Sequence, residues 1–140
     1  MKTLCAAGTV FAACTALRWY LDRTSRQDTF CCKGRIRVTG CRNAGAAFGL
    51  PVPEKALEPL AAAAFGSVWA LRRHSPLGAG LALGGGASNL WERSRYGAVF
   101  DYVQFPSAPK PWNRYVFNLA DFAILAGGAA LAAGRKGKER

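Results

Sequence analysis

Four stretches of the chain, 3–17, 59–71, 75–91 and 122–134, contain no Asp, Glu, Lys or Arg. Apart from Lys2, charged residues are confined to the segments between them and to the tail. Each stretch alone is shorter than the roughly 20 residues that span a bilayer. Extended through their flanks, they predict four helical spans at about 3–21, 55–72, 75–92 and 115–134. Small residues dominate them, as in "AAAAFGSVWA" and "GAGLALGGGASNL", and small residues let membrane helices approach closely. The alternative for this pattern is a soluble Ala/Gly-rich domain. Between the first two spans, "GRIRVTGCRN" alternates apolar with basic or polar positions, the period of a short strand or hairpin. "RRHSP" predicts a tight turn, with Ser75 capping the next helix and Pro76 at its first position. "QFPSAPKPWN" predicts a loop, and "PVPEK" a stop before the second span.

Charge changes this picture in one respect. The chain has 140 residues, enough for one domain, and a formal net charge of +11. Such an excess suits a nucleic-acid binder or an anionic membrane surface. Exclusion of charge from four blocks argues against nucleic acid. With both termini inside, Lys2, Arg72, Arg73, Arg135, Lys136, Lys138 and Arg140 are cytoplasmic. The other 12 of the 19 basic residues then lie outside, against the positive-inside tendency. Charge alone leaves the orientation open. "MKTLCAAGTVFAAC" also has the outline of a secretory or lipoprotein signal, but the apolar run continues through "TALRWYL", so a first span is the stronger expectation. The five cysteines are odd in number and lack Cys-x-x-Cys spacing, so they are expected as small apolar fillers, with no metal site. His74, in the presumed cytoplasmic turn, is expected at the surface.

Two acids stand apart from the other charges. Asp121 falls inside the fourth predicted span, and Asp101 lies just past the third, in "YGAVFDYVQF". Both flank one short loop and so share one membrane depth. A carboxylate in an apolar setting is costly, and two at one site do not readily ionise together. One then keeps a proton while the other is a base, which is what aspartyl proteolysis uses. Two isolated aspartates are as often structural ion-pair partners. Polar neighbours add weight to the chemical alternative. Asn118 and Asp121 are spaced to share a helix face, as are Asn89 and Arg93. Asn43 opens "NAGAAFG". The structural alternatives are caps for the asparagines and a snorkelling interfacial residue for Arg93. As site residues, the asparagines would bond an extended peptide backbone, and Arg93 an anionic or carbonyl group.

"RNAGAAFG", "GGGASNLWERSRYGAVFDY" and "FNLAD" together resemble, in order and spacing, the motif set of signal peptidase II, the bacterial lipoprotein signal peptidases. The resemblance implies an all-α polytopic membrane protein of four transmembrane helices with a small extracytoplasmic β-cradle, here about 22–48, in the bacterial inner (cytoplasmic) membrane. It implies an aspartyl endopeptidase that cuts prolipoproteins before the diacylglyceryl-modified cysteine, near the extracytoplasmic face. Asp101 and Asp121 match the catalytic pair; Asn43, Asn89, Arg93 and Asn118 match the polar residues around it. The implied partners are prolipoprotein substrates and membrane lipid, with no metal, organic cofactor or nucleic acid, and a monomer is expected. The sequence departs from the family pattern at four places. Asp22 is kept, but Arg23 replaces the usual Gln. Glu92 replaces an Asp, Ser88 a Gly, and Phe100 a small aliphatic residue. A non-catalytic relative that binds signal peptides without cutting them is the competing class. A small transporter is disfavoured, because the polar residues gather on one side.

Overall fold

The computed structural model describes residues 1–24, 28–45 and 54–136. Parts 25–27 and 46–48 of the expected β element, the stop at 51–53, and Lys138 and Arg140 lie outside them. Four helices and four strands follow in the order α1 (Lys2–Thr24), β1 (Thr29–Cys31), β2 (Ile36–Asn43), α2 (Glu54–Leu71), α3 (Pro76–Tyr96), β3 (Val99–Gln104), β4 (Val116–Phe117) and α4 (Leu119–Lys136). One turn of 3₁₀ helix, Trp112–Arg114, lies in the proline-rich loop before β4. Among the described residues, Lys2–Thr24 is the one helix long and apolar enough to cross a membrane by length and composition. Pro59–Leu71 and Leu119–Gly134 are shorter apolar helices.

α3 packs between α1 and α4, and α2 rests on α3. The contacts are close because glycine backbones meet backbones. A Cβ placed on Gly84 would lie 2.5 Å from the Ala7 carbonyl oxygen of α1. One on Gly127 would lie 2.5 Å from the Gly78 carbonyl oxygen of α3. The glycine-rich third segment therefore serves as a surface on which two neighbours sit at backbone distance. Gly84→Ala gains up to about 1 kcal/mol of helix propensity. It forces α1 outward, an overpacking cost of about 1–3 kcal/mol. The expected outcome is a lower melting temperature in detergent.

The start of α3 follows the sequence pattern. Ser75 Oγ accepts from the Gly78 N–H at 3.1 Å, and Pro76 occupies the first turn. Gly97, at φ 72, ends the helix and donates its N–H to the Arg93 carbonyl. His74, in the turn before it, is half-buried and lies beside the Leu71 carbonyl. All five cysteines are free; Cys14 is buried and the others are exposed.

The sheet is the expected small β element, drawn from more of the chain than 22–48. Its order is β1-β2-β3-β4, with every neighbouring pair antiparallel. The predicted hairpin supplies β1 and β2, but α1 runs through Asp22 to Thr24, so the sheet begins later than expected. The other half comes from segments read as the flank of the third span and the start of the fourth. Val99–Tyr102 is buried at every position, because both faces of β3 are covered. Such a run lacks the alternation that marks a half-exposed strand. Val116 and Phe117 pair with Gln104 and Val103, so the fourth helix starts at Leu119 and not at 115. β2 slips register against β3 between Val38 and Cys41. Gly40 lies in that slip, where a Cβ would stand 3.2 Å from the Phe100 ring.

Connectivity gathers the sheet at one end of the helices. The hairpin follows the C-terminus of α1, β3 follows that of α3, and β4 precedes the N-terminus of α4. The opposite end holds the α2–α3 turn.

Candidate active site

Asp101 sits in the buried run of β3, and Asp121 in the first turn of α4. The two are tied through one residue. Asn118 is the residue before α4, not a member of its face as its spacing suggested. Its Oδ1 accepts the Asp121 N–H at 3.0 Å, and its own N–H donates to Asp121 Oδ2 at 3.0 Å. This is the reciprocal arrangement of a capping box, with Asn and Asp in the two roles. Its Nδ2 is left free to reach across. It donates to Asp101 Oδ1 at 2.7 Å and to Asn89 Oδ1 at 3.1 Å. Asn89 Nδ2 in turn donates to Asp121 Oδ1 at 3.0 Å. Asn43, at the end of β2, donates to Asp101 Oδ2 at 3.2 Å while its Oδ1 accepts from the Gly45 N–H at 3.0 Å. The cap expected of an asparagine and the site role expected of it are thus the same residue's two ends.

Arg93 is also brought in, though not as a snorkelling side chain. Its guanidinium donates to the Gly45 carbonyl at 2.6 Å, fixing the loop that leaves β2. All six residues singled out in the sequence line one cavity of about 510 Å³. Its other walls include Cys41, Arg42 and Val99, the segment from Arg114 to Phe117, and Ile124 and Leu125. The lining is apolar on the α4 side and polar around the acids, the form of a site for a partly apolar chain.

Burial sets the electrostatics of Asp101, which is 4% exposed. Desolvation pushes its carboxyl up from 3.8 to about 6; the Asn118 and Asn43 donors oppose this, and the charge of Asp121 adds to it. Above that range the folded protein holds a buried carboxylate that the unfolded chain would keep in water. As pH falls through about 6 the folded state takes up the proton first, and the stability so gained is complete below 3.8. Asp101→Asn removes the penalty. Its advantage in thermal stability over the native chain is expected to be largest at neutral pH, at most about 3 kcal/mol, and to shrink between pH 6 and 4. Melting curves of both proteins across that range check it.

Tyr102 was not read from the sequence. Its hydroxyl accepts the Leu119 N–H at 2.9 Å, satisfying a second donor at the start of α4. Burial pushes the phenol up to about 12, so it stays protonated. Its position beside Asp101 in a short apolar run was the available signal. Of the four positions that depart from the family pattern, Arg23, Glu92 and Phe100 have structural partners. Asp22 pairs with Arg42 at 3.0 Å, and Arg23 lies over the Trp19 ring at 3.8 Å. Ser88 is buried at 1% exposure, and Phe100 packs 6.0 Å from Tyr102, ring to ring. Glu92 is buried and pairs with Arg18.

The fold, a helical bundle with a small sheet closing over one end, is found in solved proteins. A bacterial membrane enzyme determined by the in meso method at 2.3 Å resolution superposes with a TM-score of 0.82, covering 98% of this chain and 88% of that one at 15% identity. A second bacterial membrane enzyme, at 1.9 Å, superposes with a TM-score of 0.78 at 16% identity, covering 94% of this chain and 90% of that one. The chain belongs to the signal peptidase II family: residues 6–134 match the family described as Signal peptidase (SPase) II. By that membership it is a membrane protein. A lipoprotein signal peptidase of Nitrobacter hamburgensis is 47% identical over 70 residues, covering 46% of this chain and 43% of that protein. One of Pelotomaculum thermopropionicum is 38% identical over 103 residues, covering 68% and 64%. The chain thus spans less than two thirds of the length of these relatives.

Proposed function

We propose that this protein is a membrane aspartyl endopeptidase that removes signal peptides from diacylglyceryl-modified prolipoproteins, cutting before the lipidated cysteine. The observation that carries it is the linkage of Asp101 and Asp121 through Asn118 at the wall of one cavity. Family membership and the names of the relatives supply the substrate class.

Asp101 and Asp121 are the catalytic pair. One carboxyl of the pair keeps its proton and polarises the scissile carbonyl. The other is the base that takes a proton from the attacking water. The tetrahedral intermediate collapses as the leaving amine takes up a proton, and peptide and lipidated protein separate. Asn43, Asn89, Asn118 and Arg93 hold the acids and the surrounding backbone in place and line the path of the substrate. In this reading α1 to α4 are four spans, the sheet and cavity lie at the extracytoplasmic face of the inner membrane, and the chain acts as a monomer. The gathering of all four strands at one end of the helices supports that placement. Exposed basic residues of the hairpin, including Lys33 and Arg35, would face lipid headgroups, which accounts for the positive charge outside.

The test is cleavage of a diacylglyceryl-modified prolipoprotein in liposomes, with the unmodified precursor as comparison. Cleavage of the modified precursor alone supports the full reading. Binding without cleavage assigns the chain to the non-catalytic relatives.

A further inference from the structure

Arg18 of α1 and Glu92 of α3 form a buried ion pair outside the cavity lining. Their side chains are 10% and 7% exposed, and Arg18 Nε stands 3.4 Å from Glu92 Oε1. The Arg18 guanidinium also lies 5.1 Å from the centre of the Tyr96 ring. Burying such a pair is costly, and breaking it by removing one partner costs more. The second carboxylate oxygen has a different partner. Glu92 Oε2 accepts the backbone N–H of Phe100 at 3.0 Å. Phe100 immediately precedes Asp101, and β4 pairs only with Val103 and Gln104, beyond this point. The buried start of β3 therefore draws a hydrogen bond from a side chain of α3 where no fourth strand reaches it. The same helix carries Asn89, which holds Asp121.

We infer that Glu92, held by Arg18, is a positioning residue for Asp101: it clamps the Phe100 peptide and so sets where β3 presents the acid against the Asn89–Asn118–Asp121 cluster. The inference rests on the proposed role of Asp101 in cleavage. Glutamate has the length to pair with Arg18 through one oxygen and reach the strand with the other, which gives the departure from the family's aspartate a physical reason.

Single variants leave a lone buried charge, so the test uses two charge-free pairs. Arg18→Met/Glu92→Gln keeps an acceptor for the Phe100 N–H; Arg18→Met/Glu92→Met does not. Replacing both charges with groups of similar volume preserves folding. Against the native chain, the first is expected to retain cleavage to within about threefold. The second is expected to lose about tenfold in kcat, with KM within about twofold, the value of one lost hydrogen bond expressed as rate. Amide exchange at Phe100 is expected to speed up in the second variant only. Equal exchange in the two overturns the inference whatever the activities. So does equal kcat with an active native chain, or a loss that vanishes once corrected for folded fraction. If the native chain does not cleave, it is the proposed function that fails, and exchange alone decides whether the clamp exists.

Discussion

Asp101→Asn and Asp121→Asn are each expected to lower kcat for prolipoprotein cleavage by about 10³-fold, with the folded fraction unchanged. The double variant is expected to be no worse than either single one, because two groups that act as a unit are not additive. Each asparagine keeps one carbonyl oxygen, so Asn118 can still donate to residue 101, and Asn89 or the Asn118 N–H to residue 121. What is lost is the exchangeable proton. An activity of either variant within tenfold of the native protein would remove that acid from the chemistry. Asp101→Asn is expected to be inactive and, at neutral pH, more stable than the native chain. A catalytic carboxyl held in an unfavourable place gives that combination; a structural ion-pair partner gives the reverse.

Asn118→Ala is expected to lower kcat by about 10²-fold, since it releases both acids from their common anchor. It also removes the cap of α4, at about 1 kcal/mol, along with the hydrogen bonds to Asp101 and Asn89. Asn118→Ser separates the two roles. A serine oxygen can accept the Asp121 N–H as Oδ1 does now, but it cannot also supply two amide donors to Asp101 and Asn89. The serine variant is therefore expected to recover most of the lost melting temperature and little of the lost rate. Equal recovery of both would reduce Asn118 to a helix cap.

Much of the site was legible in the one-dimensional chain. Polar residues in an apolar setting are expensive, so Asp101 and Asp121 stood out; spacing and the resemblance to the family motifs added Asn43, Asn89, Arg93 and Asn118, and all six line one cavity. Helix positions were legible for the same reason, because uncharged stretches and the Ser75-Pro76 start carry local signals. The start of α4 was misplaced, since 115–118 is as apolar as the helix that follows, and hydrophobicity does not distinguish a buried strand from a buried helix.

The sequence by itself determined which residues are costly, where charge is excluded and which ends of the helices are capped, because these depend on composition and on neighbours three or four positions away. Only the tertiary structure decided what the costly residues do for one another. β3 and β4 are strands because β3 meets β2 on one side and β4, across the loop, on the other, a pairing with no local signature. Asn118 joins two acids 20 positions apart in the chain because α4 begins where β4 ends. Glu92 reaches the Phe100 peptide because α3 and β3 turn back on each other at Gly97. Each of these is a tertiary contact, and its energy is realised only when the helices have packed.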